Sequence, residues 1–162
     1  MAHIVMSIET TRSIGEQIIR HRSFSYQVFS QRYADVSELQ FAKPPAIRRQ
    51  DTKNRQNSID DLDDLTKADF SIRAKYLFDS SERLYKDMLR VGIAKECARD
   101  VLPLATPSRL YMAGSVRSWV HYVQLRCGNG TQKEHQDIAK LCRKELHKAL
   151  PTVMAAVESL KK

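Results

Sequence analysis

The residues best equipped for chemistry sit close together near the N-terminus. Arg20-His21-Arg22 is followed by Ser23, Ser25, Ser30 and Arg32 within the segment RHRSFSYQVFSQRY. Guanidinium forks beside hydroxyls are the donor set that recognises phosphate. A helix ending just before the segment would attract one or two cations to its C-terminus. That dipole effect does not account for Ser30 and Arg32 farther on, so the stretch reads as a site for a phosphate-bearing ligand. Ser30 has the form of a nucleophile, but no histidine–acid pair in the segment is spaced to activate it. Binding is its expected role.

Two other clusters invite a metal reading. Cys127, His135, Cys142 and His147 carry ligand atoms, but they lack a Cys-x-x-Cys or His-x-x-x-His pair. The aspartates of IDDLDDLTKADF lack the glycine of a calcium loop. An acidic, solvated helix entry explains them better. No metal is expected. The three cysteines are odd in number and widely spaced, which suits free thiols.

The elements that must position the segment follow from periodicity. HIVMSI (His3–Ile8) is expected to be a strand, and residues 11–20 a helix capped by Thr10 or Thr11, with Ile14, Ile18 and Ile19 on one face. Phe24, Tyr26 and Val28 alternate with polar residues, as in a strand entered from a turn. Residues 42–58, with Pro44 and Pro45, read as a loop. A long helix is expected over 66–90, ended by Gly92. Its apolar stripe Phe70, Ala74, Leu77, Ser81, Leu84, Met88 and Val91 would face this domain or a second subunit. IAKECARD (93–100) reads as a short helix and SRLYMAGS (108–115) as strand-like or irregular. Helices are expected over 116–126 and 132–150, joined by the CGNG turn at 127–130 and stopped by Pro151. The fold class is α+β, a small antiparallel sheet packed against long helices in a single domain over residues 1–162.

With 162 residues the chain is long enough for one core. No apolar run has the length of a membrane span and the N-terminus lacks a signal-peptide layout, so a cytoplasmic location is the default. The balance of 27 basic against 19 acidic residues, +8, suits polyanionic ligands. Nucleotides, phosphorylated cofactors and nucleic acid all remain open on charge alone.

The motif Arg20-His21-Arg22, seven residues, then Ser30 resembles the signature of the flavin-dependent thymidylate synthases. The likeness extends to Gln17, to Ser30-Gln31-Arg32-Tyr33, and to ECARDVLPL (Glu96–Leu104) ahead of Arg109. It continues through QLR (Gln124–Arg126) and TQKEH (Thr131–His135). The resemblance implies reductive methylation of dUMP to dTMP with FAD, NADPH and methylenetetrahydrofolate. It also implies a homotetramer with shared active sites. Carried over by position, Arg20, His21, Arg22, Gln124 and Arg126 would hold FAD. Gln17, Arg20, Ser30, Gln31, Arg32 and Arg109 would hold the pyrimidine deoxynucleotide.

Three departures accompany the likeness. The chain begins later than family members usually do, so their N-terminal segment is expected to be absent. Val28 stands where the family places a glutamate, removing a hydrogen-bond acceptor. Gln136 stands where the family places an arginine beside the pyrimidine, thought to stabilise the anionic ring; it is the one candidate catalytic position. These changes leave two alternatives. One is action on another pyrimidine nucleotide such as dCMP, whose edge an amide could meet. The other is a non-catalytic nucleotide or nucleic-acid binder using the basic loop AIRRQDTKNRQ (Ala46–Gln56), although nucleic acid and membrane partners are not the expectation.

Overall fold

The computed structural model describes residues 2–34, 39, 43–128 and 130–159. Ala42 of the expected loop and Asn129 of the CGNG turn lie outside them. Strand β1 (His3–Thr11) pairs antiparallel with β5 (Pro107–Ser115) from His3↔Ser115 to Thr11↔Pro107. The short β2 (Ser25–Val28) adds to the other edge of β5, giving the order β1-β5-β2. Side chains alternate along a strand. Ser108, Leu110, Met112 and Gly114 of β5 therefore turn to the buried face, and Arg109 and Tyr111 to the other.

Helices close the buried face. In α1 (Arg12–Ile18), Thr11 accepts from the Ile14 amide as N-cap, and Ile14 and Ile18 enter the core. Ile19 was expected on that face but is 41% exposed, because the helix ends at Ile18. Helix α4 (Val116–Arg126), capped by Ser115, buries Trp119, Tyr122 and Val123. Trp119 donates its indole N–H to the Ile4 carbonyl at 3.1 Å, which satisfies its one polar atom. Helix α5 (Lys133–Ala149) buries His135, Ala139, Cys142 and Leu146 at helical spacing. Pro151 does not merely stop it. Proline suits the first position of a helix, and α6 (Pro151–Ser159) begins there and sends Met154 into the core.

Gly114 is required by packing. A Cβ there would lie 2.4 Å from Cδ1 of Phe24, a ring that also meets Trp119 edge-on at 5.0 Å. Gly114→Ala is expected to lower stability by about 1–3 kcal/mol through overpacking, read as a lower urea midpoint at unchanged slope. A midpoint equal to wild type would show that Phe24 is free to move.

The long helix α2 runs from Asp64 to Arg90, with Asp63 accepting the Thr66 amide as its cap. It ends in a left-handed Gly92 (φ 86°), with Ile93 N–H bonded to Met88 O and Gly92 N–H to Leu89 O. Only Tyr85 of α2 is fully buried, against Ala98 and Leu102, beside α3 (Lys95–Ala98) and the 3₁₀ turn Arg99–Val101. The apolar stripe is divided: Met88 packs on the Tyr85 cluster and Ser81 donates to the Val101 carbonyl, while Phe70, Leu77, Leu84 and Val91 are 48–75% exposed. The segment read as a plain loop contains a two-residue strand, β3 (Arg49–Gln50), paired with β4 (Ser58–Ile59). Arg49 holds it to Asp61 through three side-chain contacts of 2.5–3.2 Å.

Candidate functional site

The Arg-His-Arg turn leaves the end of α1 and is held down by β2. Tyr26 Oη lies 2.9 Å from both the Ile18 and His21 carbonyls, so the strand clamps the turn from beneath. Burial pushes the Tyr26 phenol up to about 12, which keeps it a donor at neutral pH. His21 reaches inward and packs edge-on against Tyr122 at 5.0 Å. Arg126, at the end of α4, donates from Nε to His21 Nε2 at 2.8 Å. Arginine has no acceptor atom. His21 must therefore be neutral, with its proton on Nδ1. Burial, followed by the charge of Arg126, lowers its pKa to about 4.

Behind this contact lies His135, fully buried, with Nε2 3.1 Å from Tyr122 Oη. Its Nδ1 has no partner among the described residues. Burial, then Arg126 and His21, lowers the His135 pKa to about 4. A depressed histidine pKa means that the unfolded chain binds the proton first. Its contribution is full above the unfolded value and declines as pH falls from about 6.5 towards about 4. At pH 5 this one group is expected to cost ~2 kcal/mol of stability relative to pH 8. Urea unfolding at the two pH values checks it. His135→Leu should reduce the difference, and an identical pH dependence in that variant would refute the assignment.

Arg20 and Arg22 flank His21 and are exposed. Neither makes an ion pair with a described residue. Gln124, on the exposed side of α4, is not drawn into the His21–Arg126 contact.

The Ser30 end of the motif forms a second pocket. A cavity of about 200 Å³ is lined by Arg12, Arg99, Ser30, Gln31 and Ser108, together with Val28. Gln31 is buried and its Nε2 has no hydrogen-bond partner among the described residues. The other two expected arginines are held at the surface. Arg32 pairs with Glu96 at 3.2 Å and stacks near Tyr33, and Arg109 pairs with Glu9 at 2.5 Å. Exposed pairs of this kind contribute only about 0.2–1 kcal/mol, so an incoming phosphate displaces them cheaply. Arg109 lies on the sheet face opposite to Ser108, so it does not join the Ser30–Gln31 cavity within one chain.

Gln17 and Gln136 both belong to polar networks on α5. Gln17 donates to Gln132, which donates to Glu134, which accepts from Arg48. Gln136 donates to the Cys127 and Gly128 carbonyls, each at 3.2 Å, and accepts from Lys140 at 2.8 Å. It lines a cavity of about 340 Å³, but its amide is committed to closing the 127–128 turn. Sequence reasoning gave no role to Arg12 and Tyr122, which contribute only through tertiary contact. Arg99, His135 and Arg48 lie inside the ECARD, TQKEH and AIRRQ stretches, but their placement here was not foreseen. Among the described residues no cluster of His, Cys, Asp or Glu could hold a metal, and no helix is long and apolar enough to cross a membrane.

Comparison with known proteins bears on the family and the fold. A family profile described as thymidylate synthase complementing protein matches residues 1–152. A flavin-dependent thymidylate synthase of Synechocystis sp. is 52% identical over 158 residues, covering 98% of this chain and 72% of the relative. A probable flavin-dependent thymidylate synthase of Paramecium bursaria Chlorella virus 1 is 44% identical, covering 97% and 72%. The fold matches a crystal structure of the UMP/dUMP methylase PolB from Streptomyces cacaoi bound with 5-Br UMP. The TM-score is 0.84 at 23% identity, over 97% of this chain and 73% of that one. With matching motifs, profile and fold, the chain belongs to the thymidylate synthase complementing protein family, that of the flavin-dependent thymidylate synthases.

Proposed function

We propose that this chain catalyses the reductive methylation of dUMP to dTMP, with FAD, NADPH and methylenetetrahydrofolate. The observation that carries the reading is the His21 turn, where Arg20 and Arg22 make no ion pair among the described residues and Arg126 converges on a neutral His21. That donor set fits the diphosphate of a dinucleotide. Bound FAD would supply the hydride chemistry, which side chains do not perform. The chain's own residues bind and orient. Arg20, Arg22 and Arg126 would neutralise the diphosphate. His21 aims the Arg126 fork, and Tyr26 holds the turn rigid.

The Ser30–Gln31 cavity, with Arg12 and Arg99 on its wall, fits the nucleotide phosphate, and Gln31 offers an unused buried donor. Arg109, on the opposite sheet face, would serve a nucleotide bound by a neighbouring subunit. The exposed α2 stripe and the uncovered outer sheet face, with Val5 63% and Tyr111 44% exposed, support assembly through these surfaces into a homotetramer with shared sites. The dCMP reading depended on a free amide at Gln136, and that amide is spent within the protein. The nucleic-acid reading drew on the +8 surface and the basic loop, in which Arg48 and Arg49 are ion-paired to Glu134 and Asp61.

Release of bound cofactor by denaturation, followed by chromatography against FAD and FMN standards, tests the flavin assignment. FAD in near-stoichiometric amount is expected. A colourless protein that does not take up added FAD would contradict it.

A further inference from the structure

A further cavity opens beside the Arg-His-Arg turn. Its volume is about 650 Å³, within the range of small-molecule sites. Ser23 from the turn lines it together with Ser115, Arg117, Ser118 and His121 from the β5–α4 junction, and no lining residue is acidic. We propose that this cavity binds the anionic group that a co-substrate carries at the end remote from its reacting ring, with the Arg117 guanidinium as the fork that holds it. Two groups share that chemistry. One is the ribose phosphate that distinguishes NADPH from NADH, and the other is the glutamate carboxylates of methylenetetrahydrofolate. The proposal rests on the flavin reading of the turn and adds to it where a second ligand is held.

The neighbouring core fixes the walls. Helix α4 turns Trp119, Tyr122 and Val123 inward. Arg117 and His121 are four residues apart and exposed, so they share one ridge on the outer side of α4. Phe24 is locked edge-on against Trp119 at 5.0 Å, which holds its neighbour Ser23 at the rim. The Val116 amide bonds to the Ala2 carbonyl at 3.3 Å and ties the residue before β1 to the wall. Ser115 and Ser118 are engaged with each other at 3.0 Å and with the cap of α4. The side chains left to meet a ligand are therefore Arg117, His121 and Ser23. Arg117 makes no ion pair with a described residue, whereas Arg48, Arg49 and Arg109 are each paired to a carboxylate.

A guanidinium beside an imidazole and a hydroxyl is a donor set for a phosphate or for paired carboxylates. The cavity adjoins the flavin turn without sharing its cations, because Arg20, Arg22 and Arg126 do not line it. His121 is close enough to His21 to act on it: burial, then Arg126, then His121 lower the His21 pKa to about 4. A ligand anchored on Arg117 thus lies beside a flavin whose diphosphate sits at the turn. Two anion sites side by side suit a reaction in which a bound dinucleotide must meet a second anionic ligand.

Calorimetric titration of the FAD-loaded protein reads the outcome. The probes are NADP⁺ against NAD⁺, and tetrahydrofolate carrying three glutamates against tetrahydrofolate carrying one. In the wild type, the more anionic member of one pair is expected to bind about 10-fold more tightly. Arg117→Gln should bring that pair within about twofold, and Arg117→Lys should restore part of the difference. Arg117 is exposed, so both variants are expected to fold, and FAD affinity should stay at its wild-type value. Collapse of the NADP⁺ preference identifies the phosphate as the group held. Collapse of the glutamate preference identifies the carboxylates.

Equal affinities within both pairs in the wild type, or preferences that survive Arg117→Gln, would overturn the proposal. A parallel loss of FAD affinity would give the cavity to the flavin and overturn it as well. Wild-type protein that takes up no FAD would overturn the flavin reading and this proposal together. Protein that takes up FAD but discriminates within neither pair would overturn this proposal alone.

Discussion

Protein carrying both Arg20→Ala and Arg22→Ala is expected to emerge from purification without flavin, with affinity for added FAD at least ~100-fold lower. These arginines have no anionic partner among the described residues, so their removal breaks no ion pair seen there and should leave the melting temperature near wild type. Absorbance near roughly 450 nm measures flavin retention, and circular dichroism measures the fold. Wild-type flavin retention in the double variant would remove the turn from the cofactor site.

A second large effect is expected from mixing two inactive proteins. Arg20→Ala damages the cofactor turn, and Arg109→Ala removes a guanidinium on the opposite sheet face. If one site takes the turn from one subunit and Arg109 from another, each variant alone is inactive. After dissociation and random reassembly in equal amounts, about one site in four receives both arginines. Turnover should then recover to about a quarter of wild type. Recovery to nothing, with hetero-oligomers present, would place Arg20 and Arg109 in a site built by one chain.

Much of this layout is legible in the sequence where local rules decide. The Thr11 cap of α1, the aspartate entry of α2 and the Gly92 stop depend on a few neighbouring residues, and each occurs as expected. Pro151 shows how a local rule misleads. Proline ends one helix but also suits the first turn of the next, and α6 begins on it. SRLYMAGS reads only as strand-like because its central place between β1 and β2 comes from partners far away in the chain.

The site divides in the same way. The phosphate-binding character of the Arg20–Arg32 segment follows from residue types. The tautomer of His21 does not, because Arg126 reaches it across 105 positions. Gln136 illustrates the limit most clearly. The family resemblance puts it where an arginine is expected beside the pyrimidine, but its amide closes the turn at Cys127 and Gly128. Only tertiary geometry reveals that the same helix start carries Glu134, with Arg48 bound to it.

The most direct test of the enzymatic reading follows both carbon and electrons. Purified protein is incubated with dUMP, methylenetetrahydrofolate, FAD and NADPH, and nucleotide and folate products are separated by chromatography. If the hydride comes from NADPH through the flavin, the folate gives up only its one-carbon unit and leaves as tetrahydrofolate. The account predicts equal amounts of dTMP and tetrahydrofolate, with a matching loss of NADPH and no product when FAD is omitted from flavin-stripped protein. No dTMP from flavin-loaded protein, or dTMP formed with dihydrofolate and no NADPH consumed, would contradict it.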